Sequence, residues 1–477
     1  MEMTFTRRAF LGGATALAVW PSDLWGAAKK GGKRRSSLPP SVTSVWERPD
    51  GTATDCVMVR RMYLDLAGRI PTEREAKDYV RSSDPGKREA LAMRLLASGD
   101  FVDYWTMRFC DILRVKSEFP INLWPNAVYV YHARIRSFVE SGETWEHFGR
   151  ALLTSQGSDF RDAEVNFFRA TDRRNPEGWA EAVAQTFLGI SPADLDRKRK
   201  SAFASCLSNL RIKNTREWKE EVVYVDGIDR RPELCDMVFL QNRQAVADAF
   251  LMRLRRWVFG PSAPVKASAD SRITGLKDVL REIVLSPEYA RGSVTGGFPA
   301  RRLDAEILDD AFCSLSGSTR NYQSPAPEPF SFLPPDRPTV CIEDGSISSG
   351  FLSLFGRPAR DTGLMEERGS DVTAKQRLYL FNSGDIHRKI GRLAIPRWKL
   401  ADGSINPYYR KTPQPKRVDG IYWRILSRPP SGYERKVVAE AWSRRSDGGK
   451  NRKASHGEMM RDVAWSLINT KEFLFRI

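Results

Sequence analysis

A chain of 477 residues with 13 Trp and 24 Phe is too long for one ordinary core and has ample apolar bulk, so two or three domains are expected. Lys and Arg number 76 against 59 Asp and Glu, a net charge of +17 that favours anionic partners such as nucleic acid, acidic polysaccharide or a membrane surface. The six cysteines, at 56, 110, 206, 235, 313 and 341, include no CxxC pair, which excludes the usual haem-attachment and zinc-knuckle spacings.

The chain opens with TRRAFLGGATALAVW, in which Arg7 and Arg8 precede an apolar run from Ala9 to Trp20. A helix of that length rises only about 18 Å, short of the roughly 30 Å hydrocarbon core, so the run reads as a signal peptide and not as a membrane span. The paired arginines resemble a twin-arginine export signal, cleaved near Ala28. Residues 1–28 are assigned to this signal and 29–50 to a basic, flexible lead-in containing KKGGKRR. The mature chain is then expected in the periplasm or at the cell surface, with no transmembrane span.

Beyond the leader the apolar spacing is helical almost throughout. Phe101, Tyr104, Trp105, Phe109, Ile112 and Leu113 form one continuous helix face. The fold class is therefore mostly α, with helical domains joined by helix-turn-helix corners and few short strands. EEVVYVDG, Glu220 to Gly227, is the main strand candidate.

Two units recur. YLDLAGRIPTERE (Tyr63 to Glu75) and YWRILSRPPSGYE (Tyr422 to Glu434) each carry Arg-x-Pro followed by a capping box, Thr72 with Glu75 and Ser431 with Glu434. Their arginines, Arg69 and Arg428, are expected to meet the carbonyls of the helix just ended. In LLASGDF, VLSPEY and LINTKEF, Ser98, Ser286 and Thr470 cap a new turn whose acid, Asp100, Glu288 or Glu472, suits a helix N-terminus. Pro192 with the charged run DRKRK is read as ending a first helical block, and GPSAPVKASADS as a linker. The domains are set at 51–235 and 236–477, the second containing a long irregular loop over 316–350. Loops of that length in compact domains are often functional.

No phosphate-binding loop, dinucleotide fingerprint, HExxH or EF-hand occurs, and none of the four histidines, His132, His147, His387 and His456, has another at i+3 or i+4. The aromatics sit at core spacing and no nucleic-acid recognition motif is present, which argues against nucleic acid as partner. The chemistry-bearing candidate is FGRPARDTGLMEERGSD, Phe355 to Asp371. Its Arg357, Arg360 and Arg368, with Asp361, Glu367 and Asp371, either lock a turn through internal pairs or grip an anionic group.

RRMYLDLAGRIPTEREA, LLASGDFVDYWTMRFCDILRVKSE, NFFRA and AVAQTFLG together resemble the planctomycete-type, cytochrome-associated domain DUF1549. LMRLRRWVFG, LREIVLSPEYA, RRLDAEILDDAF, FGRPARDT, Glu367-Arg368, LYLFNSGDIHRKI, YWRILSRPP and LINTKEFLF resemble its usual companion, DUF1553. The resemblance implies an exported, mainly helical protein and supplies no reaction. It also implies a CxxCHxHP-like motif after AQTFLG and a Cys-x-Cys pair in the arginine-rich turn. Here ISPADLDRKRK follows Gly189, and Leu364 and Glu366 stand in the places of the pair. Thiolates and imidazoles are the ligands of soft metal and redox centres, so the two motifs are expected to build such a site jointly in relatives and to have lost it here. No cofactor and no metal is assigned. The expected function is a non-redox binding or scaffold component of a cell-envelope assembly, recognising an anionic polysaccharide or an envelope protein partner. The alternative is a polysaccharide-acting enzyme using paired carboxylates such as Asp361 and Glu367.

Overall fold

A computed structural model describes residues 44–261, 263, 275–394, 414–446 and 452–477. Arg7, Arg8, the remainder of the export signal, the lead-in to residue 43 and most of the proposed linker lie outside the described residues. The chain is mostly helical, as its apolar spacing predicts. In order come α1 (Asp55–Leu66), α2 (Glu73–Arg81), α3 (Lys87–Leu96), α4 (Gly99–Ile112), α5 (Pro125–Ser141) and α6 (Trp145–Thr154). Strand β1 (Gly157–Ser158), α7 (Pro176–Val183), α8 (Arg197–Cys206), β2 (Leu210–Asn214), β3 (Glu221–Val225) and α9 (Arg243–Phe259) follow. Next are α10 (Leu276–Leu285), β4 (Arg301–Arg302), α11 (Ala305–Ser316), α12 (Ala374–Asn382) and α13 (Gly384–Ala394). The chain ends with α14 (Gln414–Leu426), α15 (Gly432–Ser446), α16 (Arg452–Ile468), α17 (Lys471–Leu474) and β5 (Phe475–Arg476).

The strands form two small antiparallel sheets. The candidate strand Glu221–Val225 is the middle one of β1-β3-β2, with Leu210 opposite Val225 and Gly157 opposite Val223. In the second sheet Arg301 of β4 pairs with Arg476 of β5, tying the chain's last residues to its middle.

The charged run DRKRK opens a helix and does not end one. The Asp196 carboxylate accepts from the Arg199 N–H and caps α8, which satisfies an orphan donor at the helix start.

The three Ser/Thr caps form as predicted, the Ser98, Ser286 and Thr470 hydroxyls each accepting from the N–H of the aromatic three residues on at 3.2 Å. Phe101, Tyr289 and Phe473 are fully buried behind them. The two Arg-x-Pro corners join these caps in a way that was not anticipated. Arg69 forks onto Glu75 at 2.8 and 2.9 Å while its Nε donates to Asp100 at 2.7 Å. Arg428 forks onto Glu434 at 2.8 and 2.9 Å while its Nε donates to Glu472 at 2.7 Å. The principal partners are thus carboxylates of the next helix and of the third helix on, because a planar fork fits a carboxylate bidentately. Among the described residues, the carbonyl reached in addition is the one directly after each arginine, Ile70 or Pro429.

The expected domains share one core. Every residue of α1 from Val57 to Leu66 is buried, including Arg60, Arg61 and Asp65. Arg60 donates to the Ile425 and Phe473 carbonyls, and Arg61 to those of Tyr289, Arg291 and Ile477. Asp65 accepts from the Tyr289 hydroxyl at 2.8 Å and pairs with Arg476. A helix near the start of the described chain is therefore enclosed by its end, and buried apolar side chains run as one cluster from Ala53 to Ile477. All six cysteines are free thiols.

Candidate functional site

The turn from Phe355 to Asp371 is shaped by its backbone first. Gly356 has φ +77°, and a Cβ there would sit 2.5 Å from the Gly369 carbonyl oxygen, so the two ends of the turn cross at a distance only glycine permits. The Gly369 N–H donates to the Gly356 carbonyl at 3.0 Å and closes it. Arg360 takes a left-handed φ of +60°, uncommon for a side chain of its size.

What holds Arg360 there is α4. Its guanidinium, 1 % exposed, donates from Nε to Asp111 Oδ1 at 2.9 Å and from Nη1 to the Glu343 and Val115 carbonyls at 2.6 and 3.3 Å. Arg368 takes the other oxygen of Asp111 at 2.6 Å and grips Glu306 at 2.6 and 3.1 Å. Arg357 lies 3.5 Å from Glu306 and donates to the Asp344 carbonyl at 3.2 Å. Burial pushes the Asp111 carboxyl up, but Arg368 and Arg360 outweigh it and hold the group below the usual carboxylate range. Asp304, the residue before α11, pairs with Arg108 and is likewise held well down against its burial, by Arg108 and then Arg368.

The acids of the turn are engaged locally. Asp361 accepts from Lys116 Nζ at 2.5 Å. Glu367 accepts from the Asp361 N–H at 2.8 Å and from the Thr362 N–H and hydroxyl at 3.2 and 3.0 Å, capping the turn from inside its own sequence. The Asp371 side chain is exposed, and its carbonyl accepts from Arg302. The structure thus brings Arg357, Arg360 and Arg368 together around Asp111 and Glu306, while Asp361 and Glu367 serve the turn itself.

Beside this network opens a cleft of about 270 Å³, lined among others by Arg108, Arg256, Arg301, Arg368, Glu366 and Asp371. Among the described residues, Arg108, Arg357, Arg360 and Arg368 pair with Asp111, Asp304 and Glu306, and Arg301 and Arg302 pair with no carboxylate, while Arg256, Glu366 and Asp371 also line the cleft. Arg302 is satisfied by the carbonyls of Leu303, Phe355, Gly369 and Asp371. Arg301 donates only to the Trp257 carbonyl, at 2.9 Å, and no carboxylate within ion-pair distance is found among the described residues. Burial, followed by the neighbouring Arg476, lowers its guanidinium to about 10.

Residues 43–200 match the family described as protein of unknown function DUF1549, and residues 273–442 the one described as protein of unknown function DUF1553. This chain carries both domains. No curated protein and no solved structure matches it. The arginine network is the seam between the two: DUF1549 contributes Arg108, Asp111 and Lys116, and DUF1553 contributes Arg301, Asp304, Glu306 and the turn.

The seam also joins the two places where the family resemblance implies thiol motifs. Gln185 of AQTFLG donates from Nε2 to the Thr362 carbonyl at 2.7 Å, two residues from Leu364. Leu364 and Glu366 line the cleft. An aliphatic side chain offers a metal no donor, and no group of three or more His, Cys, Asp or Glu poised for a metal occurs among the described residues. The donor set present does not fit a soft metal or redox centre.

Sequence reasoning missed Arg108, Asp111, Arg301, Asp304 and Glu306. Two signals were available. Arg108 and Asp111 interrupt the apolar helix FVDYWTMRFCDIL, and RRLDAE packs four charges around the start of a buried helix; charges in such settings need partners.

Proposed function

We propose that the protein is an exported, non-redox binding component of a cell-envelope assembly, and that its interdomain cleft holds a carboxylate or sulfate group of an anionic polysaccharide against Arg301 and Arg368. The observation that carries the reading is the half-buried guanidinium of Arg301, which lines an arginine-rich cleft and has no carboxylate at ion-pair distance among the described residues. A guanidinium facing a cleft with no forked partner can take a carboxylate or sulfate bidentately, and such an anionic group would offset the excess of cations around it. Arg357 and Arg360 then act behind the site by fixing Asp111 and Glu306, and so the position of Arg368. The leader with Arg7 and Arg8 supports export, and an envelope protein presenting acidic side chains is the other partner this chemistry would accept. The cleavage reading draws no support from Asp361 and Glu367, whose carboxylates are occupied by Lys116 and by the turn.

The test is a glycan array of sulfated, uronate-containing and neutral oligosaccharides, probed with wild type and with Arg301→Gln. Anionic members retained by wild type and lost by the variant, at an unchanged unfolding midpoint, are expected. Indifference to Arg301→Gln and to Arg256→Gln would remove the cleft from the account.

A further inference from the structure

Trp124, Trp218 and Phe330 bring their rings together on one ledge that holds some of the most exposed aromatic side chains among the described residues. Phe119, Trp218 and Phe332 are 80 %, 65 % and 65 % exposed, and with Phe330 they come from three loops far apart in sequence. Half-buried Trp124 joins Trp218 and Phe330, with its ring 6.4 Å from that of Trp218 at 84° and 5.3 Å from that of Phe330 at 60°. Phe119 and Phe332, also exposed, lie five and two residues along the chain from Trp124 and Phe330. An exposed cluster of large rings costs solvation and is uncommon on a surface without a partner.

The ledge is held firmly. The Ser117 N–H donates to Asp344 at 3.0 Å, the Glu118 N–H to Ser346 Oγ at 2.9 Å, and Arg174 to the Ile121 carbonyl at 2.9 Å. On the other side the Phe330 N–H donates to the Pro327 carbonyl at 3.0 Å and Ser324 to Ser331 at 2.9 Å. Rings fixed before contact lose little entropy on binding.

Charge decides the occupant. The Lys219 ammonium sits 5.6 Å from the centroids of both Trp124 and Trp218. It tips the β2–β3 hairpin, whose Arg211, Lys213 and Arg216 are also exposed against the single exposed acid Glu217. Among the described residues none of these four cations has a carboxylate partner. A pyranose ring offers an apolar face of C–H groups that suits the electron-rich face of an indole or phenyl ring, and a carboxylate or sulfate on that sugar would meet the hairpin cations.

We infer that Trp124, Trp218 and Phe330, flanked by Lys219, form a stacking platform for a strand of anionic polysaccharide. This rests on the reading of the protein as a polysaccharide binder and adds a second contact face to the cleft. Single-stranded nucleic acid also stacks on aromatic rings beside cations, but the export leader favours the glycan.

The full chain is run by affinity electrophoresis through gels containing alginate, dextran sulfate or unsubstituted dextran, and its binding to a poly(dT) oligonucleotide is measured separately. Trp218→Ala and Phe330→Ala are expected to weaken retention by alginate or dextran sulfate about tenfold at an unchanged unfolding midpoint. Lys219→Ala is expected to weaken retention by the anionic polymers and leave dextran unaffected. If the ring variants migrate as wild type while Arg301→Gln is released, the platform is overturned and the cleft stands. If wild type is retained by no polysaccharide, both fail. Equal retention by dextran and the anionic polymers, or tighter binding to poly(dT), would overturn the proposed occupant.

Discussion

The corners at Arg69 and Arg428 use the same parts in different surroundings. In each, the residue before the arginine is left-handed, Gly68 at φ +61° and Ser427 at +60°. Each guanidinium lies over the tyrosine six residues earlier, at 4.8 Å from Tyr63 or 5.6 Å from Tyr422. The side chains of Arg69, Glu75 and Asp100 are 33 %, 27 % and 45 % exposed, whereas those of Arg428, Glu434 and Glu472 are 2 %, 4 % and 5 %. The difference comes from α1, which covers the second corner: Arg60 donates to the Ile425 carbonyl at 2.8 Å and to the Ser427 hydroxyl at 3.3 Å. One local sequence pattern therefore yields a wet clamp in one place and a buried ionic lock in another.

That contrast has measurable consequences. Arg428→Ala leaves two carboxylates buried without a counterion and is expected to cost about 3–5 kcal/mol in denaturant unfolding, whereas Arg69→Ala, at a solvated fork, should cost about 1 kcal/mol or less. Equal costs would mean that burial does not distinguish the corners. Arg360→Ala belongs with the buried class, since it removes one of the two cations on Asp111, and a loss of about 3 kcal/mol is expected. A smaller effect is expected from pH. Burial, reinforced by Arg360, Arg136 and Arg337, lowers His132 from 6.5 to about 3. Its folded pKa is depressed, so its contribution is complete above the unfolded value of about 6.5 and is lost as pH falls toward about 3. Replacing His132 with Gln should flatten stability against pH across that window. An unchanged profile would show that His132 titrates normally.

The capping boxes and the Ser/Thr caps were legible in the sequence because their partners lie three residues apart. The fold class was legible for the same reason, as helical periodicity is local. The partners of Arg69 and Arg428 were half legible: Glu75 and Glu434 lie in the same unit, but Asp100 and Glu472 belong to the second unit, and nothing local joins the two. The candidate turn was found from its charge density, yet its organising acids were not. Asp111 lies 249 residues from Arg360. Glu306 lies 62 residues from Arg368. Only the fold, with α1 wrapped by the end of the chain and α4 laid against the turn, brings them together. The aromatic ledge was hidden likewise, because its three loops share no spacing rule.

The central claim is that the excess cations of the interdomain cleft bind an anionic sugar group. Isothermal titration of a sulfated or uronate oligosaccharide into wild type and Arg301→Gln at two salt concentrations tests it most directly. The account predicts binding that weakens with salt and is about tenfold weaker or more in the variant. Equal affinity in the two proteins would contradict it.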